Sequence, residues 1–353
     1  MNILEKYIGI VVAKSTAVTL IALVILLVFF NFVDELDEVG RGEYQIADAF
    51  IVAALTVPRY LFELFPVAAL LGALIGLGSL ASNSEILAMR ISGYTLKQIL
   101  KAITKSGIYM SLIIIAFGEL IAPPSEKFAQ QMKSEKIAGQ VVLKSLYGFW
   151  ARDGQAFINI RKINTSTQLE DIYIYEFDEK NKLRLSTYAK KAEYKNEKWS
   201  LIEIAQSNIF GEKIVTRKLE RANWKSILDP GLLSVVVVRP TMLPIWGLSQ
   251  YIDFMSQNGQ STVEYKVALW LKIANPLAAL AMFILAIPFA LKNKRGSSVG
   301  KNIFIGTIVG IGFFMLTRAM SYTAVVYNLN PGVSAILPTF FIFAVAFFLL
   351  KKA

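Results

Sequence analysis

Six long apolar runs, at 14–33, 50–81, 100–122, 264–291, 302–326 and 333–350, fall into two groups of three around a polar insert. Crossing about 30 Å of hydrocarbon at about 1.5 Å of rise per residue takes about 20 apolar residues, and each run is close to or beyond that length. The second run is long enough to tilt or to begin as an interfacial segment. With 55% hydrophobic residues and a mean hydropathy of +0.50, the sequence does not read as a soluble enzyme. The expected fold is an α-helical membrane protein with six transmembrane helices, three before and three after an inserted all-β domain. Residues 1–124 form the first membrane half, 125–239 the insert, and 240–353 a linker and the second half.

The net charge of +11 invites a nucleic-acid reading, but the placement of the charge excludes it. Lys6, Lys14, Arg90, Lys97, Lys101, Lys105, Lys292, Lys294, Arg295, Lys301, Lys351 and Lys352 all flank helix ends that share one side. The opposite loops, 34–49 and 327–332, hold only Arg41. Short basic loops stay in the cytoplasm, so both termini are expected there and the insert on the exported side. The first run is too long for a secretion signal and no small-x-small cleavage site follows Phe30, so it reads as an uncleaved anchor. The chain has no Cys and no His, which excludes disulfides, thiol redox chemistry, Cys/His zinc sites and His-dependent triads.

Residues 1–13 carry Ile3, Leu4, Tyr7, Ile8 and Val11 at helical spacing with Glu5 and Lys6 opposite, and are expected to lie in the inner interface before the first span. Residues 82–95 predict a short helix over 84–93 in a cytoplasmic loop. Asn83 or Ser84 can cap it, Glu85 suits its first turn and Gly93 its end. A coupling helix of this kind docks into a cytosolic motor subunit: Glu85 pairs with an Arg there, Ile86 and Met89 fill an apolar cleft, and Arg90 shares their face. An incidental interfacial helix fits the same composition.

The third span is expected to stop at Ala122-Pro123-Pro124. A polar helix over 125–140 is followed by short β-rich stretches at 155–163, 171–177, 183–194, 198–204, 207–217 and 219–227, with a hairpin turn at Asn196-Glu197. Their spacing predicts an antiparallel sandwich or open barrel. Tyr173, Tyr175 and Phe177 read either as a wall of its core or as an apolar groove for acyl chains. An amphipathic segment around Leu248–Met255 leads back to the membrane.

Gly296 to Asn302 is the nearest approach to a phosphate-binding loop, but it has three residues between its glycines rather than four and Asn302 after the Lys, so it reads as a basic turn. Charges within or near the spans mark functional candidates, because burying charge in a bilayer is costly. These are Arg59, Glu63, Glu119, Lys272 and Arg318, with Asn31 as an uncharged counterpart. Snorkelling, or a structural pair such as Glu119 with Lys272, is the competing reading.

Several segments together carry a family resemblance: Lys6-Tyr7-Ile8-Gly9, Asn31-Phe32-Val33-Asp34-Glu35-Leu36, Gly40-Arg41-Gly42-Glu43-Tyr44, the run from Phe65 to Leu74, and Ser84-Glu85 through Met89 to Ser92-Gly93. Leu248-Ser249, Lys272, Pro276 and Val299-Gly300 add a looser match. The chain resembles the YjgP/YjgQ family of lipopolysaccharide-export permeases over its whole length, and the FVDEL and GRGEY motifs favour one of the family's two branches. The resemblance implies a non-catalytic permease subunit in the inner membrane. It pairs with an LptF-like permease above an LptB-like ATPase dimer, beside an LptC-like subunit, and feeds lipopolysaccharide to an LptA-like bridge. It implies no cofactor bound by this chain, ATP and magnesium being used by the partner. The insert would be a periplasmic β-jellyroll, and Glu85 the coupling acid. Arg59 and Lys272 match basic positions. Asn31 stands where relatives carry a Lys thought to meet lipid A phosphate, so Arg59, Lys272 or Arg318 would substitute. Phe30, Phe62, Phe65 and Phe313 would wall the acyl chains. A lipid-modifying membrane enzyme and a non-transport anchor with an exported β domain are the alternatives from other classes. The first would need acid, base or metal-binding groups gathered at one depth, and the second would need neither six spans nor a coupling helix.

Overall fold

The computed structural model describes residues 3–138, 149–153, 155–165, 167–178, 182–195, 198–210, 213–224, 240, 243–257, 260–291 and 299–351. The chain divides into two compact units, one of residues 1–35, 53–126 and 263–353 and one of residues 36–52 and 127–262.

Among the described residues, the first unit contains six helices long and apolar enough to cross a membrane. Helix α1 runs unbroken from Ile3 to Leu36. The amphipathic start and the first span are thus one helix of about 51 Å, because no Pro or Gly pair interrupts the apolar face. A short helix α2 (Ile46–Leu55) precedes α3 (Val57–Ser82), so the long second run does begin as a separate segment. The break falls at Thr56, whose hydroxyl donates to the Ala53 carbonyl at 2.7 Å, and Pro58 sits in the first turn of α3, where no N–H is needed. After the short α4 (Glu85–Ile91) comes α5 (Leu96–Ala116), opened by a capping box between Thr95 and Gln98.

The proline pair does not stop the third span. A π-helical turn at Phe117–Ile121 passes directly into α6 (Ala122–Ala138). The Ala122 N–H bonds back to the Phe117 carbonyl, and Pro123 and Pro124 follow in the first turn after the π-helical segment. The remaining spans are α8 (Val263–Leu291), α9 (Val299–Val326) and α10 (Pro331–Lys351).

Small residues set the packing of this unit. A Cβ on Gly72 of α3 would lie 2.2 Å from Thr16 Cα of α1, and one on Gly306 of α9 would lie 2.5 Å from Leu74 Cδ1. Lipid offers apolar side chains no water to escape from, so close backbone approach of this kind is what associates helices. Helices α3 and α8 are largely buried, whereas α1 and α9 leave long apolar faces exposed, among them Ile25, Phe29, Phe304 and Met315.

The second unit holds a six-stranded sheet in sequential order, entirely antiparallel: β1 (Phe149–Asp153), β2 (Ala156–Thr165), β3 (Gln168–Phe177), β4 (Leu183–Lys195), β5 (Lys198–Phe210) and β6 (Lys213–Trp224). Its described strands form one meandering antiparallel sheet, the inserted all-β domain that was expected. The last two strands are longer than the three short stretches read from sequence. The turn expected at Asn196-Glu197 lies outside the described residues, although Lys195 and Lys198 pair on either side of it. One face of the sheet buries Ile158, Ile160, Ile172, Ala189, Trp199 and Leu201, and Phe254 from α7 (Ile245–Gln257) packs against it. Tyr173, Tyr175 and Phe177 stand on the opposite face, half-buried, so they are not the core wall. Tyr173 packs on Tyr188, Trp150 stacks on Tyr175, and Phe157 meets Phe177 edge-on. Asp171 accepts a hydrogen bond from Tyr188 at 2.8 Å, which is the main reason the Tyr188 hydroxyl is pushed up to about 12.

The GRGEY loop also belongs to this unit. Gly40 and Gly42 both adopt positive φ, the Glu43 N–H donates to the Lys136 carbonyl at 2.7 Å, and Tyr44 is buried. A Cβ on Gly42 would lie 2.5 Å from the carbonyl oxygens of Lys136 and Ile137. Gly42→Ala is therefore expected to lower the stability of this unit by about 1–3 kcal/mol, from backbone strain and overpacking together. Hydrogen exchange in residues 36–52 and 127–138 reads it directly, and unchanged protection there would contradict the docking role.

Candidate functional site

At one end of the helical unit, α4 is framed between α3 and α5. Ser84 precedes it in the left-handed conformation (φ 60°) and makes no side-chain cap. Gly93, also left-handed, ends it, and the Tyr94 N–H donates to the Met89 carbonyl at 2.9 Å. Burial, with a smaller contribution from the Glu5 carboxylate, pushes the Tyr94 hydroxyl up. Ile86 and Met89 are buried in the unit's own core. The outward face instead carries Leu87, Arg90 and Ile91, the last 78% exposed. Glu85 sits at the edge of that face, and Tyr7 of α1 donates to its Oε2 at 2.7 Å.

Deeper in the unit, each candidate cation has an acidic partner. Lys272 lies 2.6 Å from Glu119, which is carried on the π-helical turn, and both are buried. The pairing reading therefore describes Lys272 better than the free-cation reading. Arg59 Nε lies 3.1 Å from Glu126, itself fully buried, and 3.9 Å from Glu63. The other oxygen of Glu63 lies 3.7 Å from Arg318, whose side chain is half exposed. Of these three cations Arg318 presents the most surface. Asn31 is within 3.5 Å of the Thr56 hydroxyl.

A second set of contacts knits the same region. Pro66 has no N–H to offer the Phe62 carbonyl four residues earlier. Asn275 of α8 supplies the missing donor, its Nδ2 lying 2.5 Å from that oxygen. The Phe62 ring is wedged against Gly118 of the π turn, where a Cβ would lie 2.4 Å from it, and Lys272 Nζ stands 5.8 Å from the ring centre.

The expected aromatic wall is only partly present. Phe65 is buried edge-on against Phe283, and Phe313 is buried in the same core, so neither faces outward. Phe62 is half-buried in the contacts just described. Phe30 is 55% exposed and packs edge-on against Phe29. Sequence reading also passed over Glu126, Asn275 and the link from Tyr7 to Glu85. The one available signal was Asn275-Pro276, a polar residue and a helix breaker inside an apolar span. Among the described residues no group of three or more Asp or Glu side chains could hold a metal.

Six apolar helices with their deep charges paired, interrupted by an antiparallel β unit, define a multi-pass helical membrane protein with an inserted β domain. Residues 6–352 match the family described as lipopolysaccharide export system permease LptF/LptG, and the chain belongs to that family. It is 34% identical to the lipopolysaccharide export system permease protein LptG of Haemophilus influenzae, with 100% of this chain and 99% of the relative covered. It is 33% identical to the protein of the same name from Escherichia coli K12, with 99% and 98% covered. Both relatives bear the name of the branch that the FVDEL and GRGEY motifs favour.

Proposed function

We propose that this chain is the permease half of a transporter that extracts lipopolysaccharide from the outer leaflet of the inner membrane and passes it to a periplasmic bridge. ATP and magnesium are used by an LptB-like dimer beneath it, an LptF-like permease completes the cavity, and LptC-like and LptA-like proteins receive the lipid. This chain contributes no catalytic group and binds no cofactor. Both termini lie in the cytoplasm and the β unit in the periplasm, a placement supported by the charge asymmetry of the loops.

The observation that carries the reading is Glu85, at the start of a short helix between two spans and beside an exposed Leu87–Arg90–Ile91 face. A cation of the ATPase pairs with that carboxylate, and the apolar face seats in its cleft. Closure of the ATPase dimer moves α4 and, through α3 and α5, narrows the cavity. Phe29, Phe30 and the exposed face of α1 meet acyl chains, while Arg318 and Arg59 meet lipid phosphate. The half-exposed Arg318 supports this assignment better than the buried Lys272.

Co-purification of the chain with an ATPase and a second permease is the expected result. Glu85→Ala is expected to abolish lipid release while leaving membrane insertion intact. Photo-crosslinkers at Phe30, Asn31 and Arg318 are expected to give lipopolysaccharide adducts, and absence of adducts at all three positions would overturn the proposed cavity. Turnover of lipid by the purified chain alone would revive an enzymatic reading.

A further inference from the structure

We infer that Tyr7 is a positioning residue for Glu85, and that through it α1 receives the motor's movement directly. This rests on the coupling reading of Glu85 given above. The Tyr7 hydroxyl donates to Glu85 Oε2 at 2.7 Å, while Asn83 Nδ2 lies 3.5 Å from Oε1. Both partners are neutral, and among the described residues Glu85 has no ion pair. A hydroxyl donor orients a carboxylate without cancelling its charge. The acid is thus aimed while its full charge stays available to a cation from outside the chain.

The helix that carries Tyr7 is firmly anchored. One residue on, Ile8 is buried in the core, as is Val12 a turn later. Glu5 lies 3.3 Å from Lys105 of α5, and the Ser106 hydroxyl donates to the Gly9 carbonyl at 3.0 Å. The first turns of α1 are therefore fixed to α5 by two polar links and to α4 by the Tyr7 hydroxyl. From Tyr7 the same unbroken helix leads to Phe30 and Asn31, about 36 Å away. A displacement of Glu85 thus has a route along one rigid helix to the residues that meet the lipid, in addition to the route through α3 and α5.

The test uses the complete transporter in proteoliposomes, reading ATP hydrolysis and lipopolysaccharide released per ATP for Tyr7→Phe, Glu85→Gln and the double variant. Tyr7→Phe keeps the ring and removes only the donor, so assembly and thermal stability are expected to be unchanged. Lipid released per ATP is expected to fall about tenfold, the scale of one hydrogen bond to a charged group. In the Glu85→Gln background Tyr7→Phe is expected to add nothing, because its acceptor charge is gone. Independent, multiplying losses in the double variant would mean that the Tyr7 hydroxyl acts on something other than the Glu85 carboxylate and would overturn the inference. It would equally fall if Glu85→Gln uncoupled hydrolysis from release while Tyr7→Phe did not, leaving the coupling reading intact. Normal coupling in Glu85→Gln itself would sink that underlying reading.

Discussion

Glu119→Leu is expected to destabilise the helical unit by about 3–5 kcal/mol, the cost of leaving one buried charge without its partner. Lys272 and Glu119 are 2.6 Å apart and both buried, so neither can turn to water when the other is lost. Their mutual attraction is offset by the desolvation of two ions, and the pair as a whole contributes little net stability. Glu119→Leu combined with Lys272→Met is accordingly expected to restore stability to within about 1 kcal/mol of the parent. Thermal unfolding of the purified protein in nanodiscs measures both. If the single change were tolerated as well as the double, the pair would not be buried as described. If the double variant also kept full lipid release, Lys272 would be assigned a structural role and the phosphate contact would rest on Arg318 and Arg59.

The second large effect is expected at Gly72. A side chain there begins 2.2 Å from Thr16 Cα, and its nearest neighbours include the Thr16 backbone nitrogen at 2.6 Å, so no rotamer change relieves the contact. Gly72→Val must push α1 away from α3 and open the row of contacts made by Ile8, Val12, Leu20 and Val24. A cost at or above the upper end of about 1–3 kcal/mol follows for overpacking against backbone. Pulse proteolysis of α1 should show it opening first. Gly312, whose Cβ would meet nothing within 4 Å, provides the control: Gly312→Ala should leave the same assay unmoved.

Length and hydropathy were enough to locate the six spans, because spanning a bilayer is a one-dimensional demand on apolar residues. Facing was harder to read. In Glu85–Ile91 the spacing puts Ile86 and Met89 on one side, but Leu87 and Ile91 make the other side equally apolar, so nothing in the sequence tells the core from the surface. The same ambiguity hid Phe65 and Phe313 within fully apolar helices, where no polar face marks the outside. In β3 both parities are apolar, and the buried set proved to be Ile172 and Ile174 rather than the tyrosines. Pro123-Pro124 reads equally as the end of one helix or the opening turn of the next, and the π turn decided for the second. The pairing of Glu119 with Lys272 spans 153 positions and was legible only as one of two readings of costly charge.

The bond from Asn275 to the Phe62 carbonyl has a mechanical consequence. A proline leaves its helix free to flex, since the ring removes one rung and crowds the turn before it. Here the vacant rung is filled from α8, on the same helix and one turn away from Lys272, whose ammonium holds the π turn through Glu119. Bending α3 at Pro66 therefore stretches a bond to α8, and sliding α8 along α3 tugs on the bend. The two movements form one coordinate rather than two. Substitution of Asn275 by Leu would uncouple them, leaving α3 to flex without dragging its neighbour.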